Sequence, residues 1–168
     1  MRQQGVTLIQ MLFAVGLLAL LTQLGTSAYS KMSHDLRQQA FAEGLAQALR
    51  AARGEALLRN RVVVLHALEG DWSNGWQMLL EQDEAPLLRE FSASGGIRVV
   101  GNQPVARRVR FSGLGAPLRE RGAFLSGTLE ICGEPGQENL YQVVLSPSGR
   151  VRLVHAPPLR PLCPREIS

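Results

Sequence analysis

Arg150 and Arg152 stand two residues apart in a segment that reads as a β-strand, a spacing that turns both side chains to one side of it. Each guanidinium is a planar fork of donors that matches phosphate or carboxylate oxygens, so the pair can present two forks to one anionic backbone. Arg160 and Arg165 extend that basic surface if the following tail folds beside the strand. The competing reading is a solvated strand face with two exposed arginines. Cys132 and Cys163 are the only cysteines. In an exported domain such a pair reads as a disulfide, with two buried free thiols as the alternative.

No grouping points to catalysis. There is no Gly-x-Ser-x-Gly elbow, and His34, His66 and His155 each stand alone without a nearby nucleophile or a metal-ligand spacing to either cysteine. Glu81, Asp83 and Glu84 cluster before Pro86 and read as a solvated turn. The Gly113-Leu-Gly115 pair is a loop, because the strand-to-helix unit and third glycine of a phosphate-cradling motif are missing. No enzymatic activity, cofactor or metal is expected.

The elements that position these residues begin with a stretch from Gln3 to Ser30 that carries no charge, flanked by Arg2 and Lys31. Its apolar heart, Val6 to Leu24, has about the length of a membrane-crossing helix. A secretory signal peptide ending at Gly25-Thr-Ser-Ala28 is the rival reading. From Lys31 to Asn60 the pattern stays helical, with Phe41, Leu45, Ala48, Leu49, Ala52 and Ala56 forming one apolar face. Arg37, Arg50, Arg53 and Arg59 then read as its solvated face.

After Asn60 the period changes to that of strands. Val62 to His66 and Trp76 to Glu81 flank a turn at Glu69 to Gly75, followed by shorter strands at Leu87 to Phe91, Ile97 to Val100 and Val105 to Phe111. Leu125 to Cys132 and Leu140 to Leu145 follow, and Ser146-Pro-Ser-Gly149 turns into Arg150 to His155. The proline-rich tail from Ala156 should run over the surface until Cys163 pins it. The net charge of +4 is unevenly spread: residues 98–168 hold ten basic and five acidic side chains, residues 31–97 seven and nine. Seventeen of the eighteen basic residues are arginine, which suits phosphate contacts but also follows from a GC-rich genome.

Gly5-Val-Thr-Leu-Ile-Gln10 resembles the type III signal of type IV pilins and type II secretion pseudopilins. The resemblance implies a leader over residues 1–5, cut by a prepilin peptidase after Gly5, and a mature chain starting at a methylated Val6. It implies a transmembrane and filament helix over 6–30 and a periplasmic domain over 31–168. The family usually has glutamate where this chain has Gln10, and an amide cannot neutralise a neighbouring subunit's terminal amine.

Three further segments resemble the FimT/GspH group of minor pilins and pseudopilins. These are Ala52-Arg-Gly-Glu-Ala56 with Arg59-Asn60, the Asp71-Trp-Ser-Asn-Gly-Trp76 turn, and the late hairpin closing toward a terminal cysteine. The fold implied is α+β and type IV pilin-like, a long N-terminal helix against an antiparallel β-sheet domain. Gly149-Arg-Val-Arg152 resembles the Gly-Arg-x-Arg motif of FimT-type minor pilins, which are associated with DNA capture in natural transformation. On that likeness Gly149, Arg150, Arg152, Arg160 and Arg165 form a surface for double-stranded DNA. The other partners are minor pilins or pseudopilins, the peptidase, and inner-membrane lipid before assembly at or near a filament tip. The alternatives are a minor pseudopilin of a type II secretion system and a pilus-initiation subunit that binds no DNA.

Overall fold

The computed structural model describes residues 8–82, 86–93, 96–119, 125–133 and 140–164, and the side chains of all of these except 23–28, 30 and 31. The chain divides into two compact units, Met1–Arg37 and Gln38–Ser168. Helix α1 (Leu8–Arg59) contributes its first part to one and its second part to the other.

In the first unit the described apolar side chains are bare. Leu8, Ile9, Leu12, Phe13 and Leu18 are all more than half exposed, an all-round apolar surface that water does not favour. Thr22 turns its hydroxyl back to the carbonyl oxygens of Leu18 and Ala19, at 3.0 and 2.9 Å, so this polar group is satisfied within the helix. Among the described residues, no helix is long and apolar enough to cross a membrane. The apolar run of the sequence starts at Val6, outside those residues.

In the second unit the predicted face of α1 is the one that is buried. Phe41, Leu45, Leu49, Ala52 and Ala56 lie in the core and Ala48 is packed against it. Leu45 and Leu49 each contribute roughly 2 kcal/mol by leaving water. The helix stops at Asn60, which takes a left-handed φ of 50°. Asn60 donates to the Leu57 carbonyl and Arg61 to that of Ala56, which satisfies two of the carbonyls that the helix end leaves over.

The strands form two antiparallel sheets. The first is ordered β3 (Leu87–Ser92), β2 (Gly75–Leu80), β1 (Val63–Ala67), β5 (Arg108–Phe111) and β6 (Pro117–Leu118). The second is ordered β4 (Val99–Gly101), β7 (Gly127–Ile131), β8 (Tyr141–Leu145) and β9 (Val151–His155). Alternate residues of β1 and β8 are buried, as expected of strands with one face on the core. The expected strand over Val105 to Phe111 starts later than its pattern suggests. Gln103–Val105 is a 3-10 turn with Pro104 near its start, and pairing resumes at Arg108.

The tryptophan turn works as scaffold. Trp72 is buried and its indole N–H donates to the Val105 carbonyl at 2.9 Å. Trp76 stacks on Phe91 with ring centroids 4.5 Å apart and meets Phe41 edge-on at 5.5 Å, which ties α1, β2 and β3 together.

Cys132, just past β7, is bonded to Cys163 in the tail, the disulfide that the isolated pair suggests. Beside it the buried carboxylate of Glu130 accepts the Leu162 N–H at 2.7 Å. The tail is therefore pinned twice to the same strand.

Candidate functional site

The hairpin joining β8 to β9 is closed by its own backbone and by Ser146. Gly149 N–H donates to the Ser146 carbonyl at 2.9 Å, Ser146 N–H to the Arg150 carbonyl at 3.0 Å, and Arg150 N–H to Ser146 Oγ at 3.1 Å. Gly149 has a φ of 79°, where a side chain is strained, and a Cβ there would lie 2.9 Å from Arg53 Nε. Val151 is buried between the exposed Arg150 and Arg152, so the two arginines share the outward side. Arg152 lies opposite Val144 on β9, an edge strand with only β8 beside it.

Helix α1 supplies two further arginines that the sequence had assigned to a solvated face. Arg50 Nη2 donates to the Val151 carbonyl at 3.3 Å. Arg53 Nε donates to the Gly115 carbonyl at 3.0 Å and its Nη2 to that of Ser148 at 3.4 Å. The physical reason is position on the helix: residues 50, 53, 54 and 57 repeat at three- and four-residue steps and form a second stripe flanking the buried one. That spacing is the signal by which they could have been found. Arg59 does behave as a solvated residue, paired with Glu55 one turn back at 2.8 Å with its side chain 46% exposed.

Between helix and hairpin lies a groove of about 310 Å3, lined by Arg50, Arg53, Gly54, Leu57, Gly149, Arg150 and Val151. Among the described residues no carboxylate pairs with Arg50, Arg53, Arg150 or Arg152, whereas Arg59 pairs with Glu55 and Arg110 with Glu81. The groove is thus strongly basic and uncompensated. Gly115 of the Gly113-Leu-Gly115 loop, at a φ of 73°, packs against two of the lining residues, Arg53 and Leu57.

The structure does not gather every arginine expected at this surface. Arg160 is exposed, but its tail is anchored at Glu130 and Cys132. That anchor lies by the Tyr141–His155 end of the hairpin, whereas Arg150 is at the Leu145–Val151 end. The disulfide holds the tail to β7 rather than alongside β9. Arg165, Gly5 and Val6 lie outside the described residues. Gln10 is exposed in the first unit, where it lines a shallow cavity of about 380 Å3 with Ile9, Phe13 and Ala14.

Of the acidic cluster, Glu81 is bound to Arg110, and Asp83 and Glu84 lie outside the described residues. His155 stacks on Tyr141, with ring centroids 4.7 Å apart. Among the described residues no group of histidine, cysteine or carboxylate side chains is placed to hold a metal ion.

A family model described as type II transport protein GspH matches residues 42–149, more than half of the chain. Among solved structures, the type IV minor pilin FimU of Pseudomonas aeruginosa strain PAO1 is similar in two crystal forms. The first has a TM-score of 0.60 at 21% identity, covering 73% of this chain and 91% of FimU. The second has a TM-score of 0.57 at 25% identity, covering 68% of this chain and 90% of FimU. These likenesses show a type IV pilin fold. No curated protein matches the sequence.

Proposed function

The chain belongs to the GspH family of minor pilins and pseudopilins, and from that premise we propose that it is a minor pilin of a type IV pilus that captures DNA for natural transformation. Arg150 and Arg152 grip the phosphate backbone of double-stranded DNA from the hairpin surface. The observation that carries this reading is their common exposure on either side of the buried Val151, where the hairpin turn enters the edge strand β9, with no carboxylate partner among the described residues. Contacts of this kind fix position on DNA without reading its sequence. A few arginines neutralise only a few phosphates, so one subunit binds weakly and loses affinity steeply as salt rises.

On this reading residues 1–5 are removed by a prepilin peptidase, residues 6–30 hold the chain in the inner membrane and later in the filament, and residues 31–168 stand in the periplasm. Its other partners are minor pilins. It carries out no catalysis.

The test is binding of a labelled DNA duplex by the full chain in neutral detergent, measured across salt concentrations. Replacing Arg150 and Arg152 together by glutamine should flatten the slope of log K against log salt by roughly 2, near one unit per lost phosphate contact. The fold should persist, since exposed arginines contribute little stability. A folded double variant with the original affinity and slope would remove these residues from the site. A wild-type chain that binds no DNA at low salt would favour a minor pseudopilin of a type II secretion system, the reading that the family's description supports.

A further inference from the structure

Three guanidinium groups from elements far apart in sequence, Arg50 and Arg53 of α1 and Arg150 of the hairpin, line one groove of about 310 Å3. That is the small end of the range for pockets that hold small ligands. Among the described residues, Arg50 and Arg53 are engaged by backbone carbonyl oxygens alone, those of Val151, Gly115 and Ser148. A guanidinium carries five N–H donors, so both keep donors free after these bonds. Carbonyls orient an arginine without neutralising it. With no carboxylate partner among the described residues, three like charges repel across a groove whose remaining walls are glycine and aliphatic carbon. An anion seated between them relieves that repulsion.

We infer that this groove seats one phosphodiester group of DNA, held by Arg50, Arg53 and Arg150. The inference rests on the DNA-binding reading above and moves the centre of the site from the strand face to the junction of helix and hairpin. A tetrahedral phosphate offers oxygens in several directions and can accept from opposite walls at once, whereas a planar carboxylate matches one fork in one plane. The uncharged walls at Gly54, Leu57 and Val151 leave room for the sugar carbons on either side of the phosphate. Arg152, on β9 two residues beyond Arg150, takes a neighbouring phosphate of the same DNA. Gly149 belongs to the site for a steric reason, since a side chain there would press into Arg53.

The experiment compares Arg50→Gln with Arg59→Gln in the full chain in neutral detergent, by anisotropy of a labelled duplex over a salt series. Both remove one positive charge from α1, but Arg59 is already paired with Glu55 and does not line the groove. Arg50→Gln should weaken binding at low salt about three- to tenfold and flatten the salt slope by about 0.9. Arg59→Gln should change neither, and Arg50→Lys, which keeps the charge, should retain the slope. Equal effects of the two glutamine substitutions, in a chain whose binding still depends on Arg152, would overturn the groove and leave the DNA-binding reading standing. Absence of DNA binding by the wild-type chain would overturn both.

Discussion

The backbone of Gly149 lies so close to the carbonyl oxygen of Gly115 that a Cβ at position 149 would come within 2.3 Å of it. Arg53 donates to that same oxygen at 3.0 Å. The turn that aims Arg150, the loop that follows β5 and the second part of α1 are thus locked together at one point. The glycine in Gly149-Arg-Val-Arg152 is required for the aim of the arginines, since any side chain there collides with backbone that cannot swing away.

Gly149→Ala should accordingly destabilise the domain by about 1–3 kcal/mol, from the positive φ together with the close approach. The thermal midpoint should fall by several degrees. An unchanged midpoint would show that the hairpin turn is free to move off the loop.

The tail gives a second expectation. Its attachment consists of the Cys132–Cys163 bond and the Glu130 carboxylate with Leu162 N–H. The two cysteines are 31 residues apart, for which the chain-entropy treatment gives roughly 3 to 4 kcal/mol. Reduction should lower the unfolding free energy by up to that amount and open the tail to proteases, with α1 and the two sheets still folded. Thiol titration of unreduced, denatured protein should find no free thiol. Two free thiols would contradict the bond, and wholesale loss of circular dichroism on reduction would contradict a local role.

Much of the scaffold was legible because period and burial coincide in it. The Phe41 to Ala56 face repeats at helical steps and is the buried face. Val62 to His66 and Leu140 to Leu145 announced β1 and β8 within a residue or two. What stayed hidden depends on pairing between distant segments. Nothing local in the strands divides them between two sheets, and β6 is two residues long. The same holds at the site. Arg150 and Arg152 were visible as an exposed pair, although the strand expected over Arg150 to His155 begins at Val151 and leaves Arg150 in the turn. Arg50 and Arg53, by contrast, resemble any solvated arginines until the hairpin is folded against them. The Gly113-Leu-Gly115 loop had no partner in the sequence; in the fold a Cβ on Gly113 would lie 2.7 Å from Asn60.

The mature chain should begin at Val6 and keep its apolar helix, as Gly5 directly before the apolar run implies. Mass spectrometry of membrane fractions should find a chain lacking five residues. A product cut after Ala28 would instead identify a secretory signal peptide and remove the filament helix from the proposal.

Gln10 sets the last expectation. Its side chain lies on an apolar helix surface beside Ile9, Phe13 and Ala14. A glutamate at this place can neutralise the terminal amine of an adjoining subunit, and breaking such a buried pair by removing one charge is costly. An amide can accept a hydrogen bond from that amine but leaves its charge uncompensated. A subunit at the filament tip has no subunit above it whose amine needs neutralising, so Gln10 should be tolerated there and disfavoured in the shaft. Gln10→Glu should therefore raise the copy number in sheared filaments severalfold, as read by quantitative immunoblot against the major subunit. Equal or lower incorporation of the glutamate variant would show that the side chain at position 10 does not set placement.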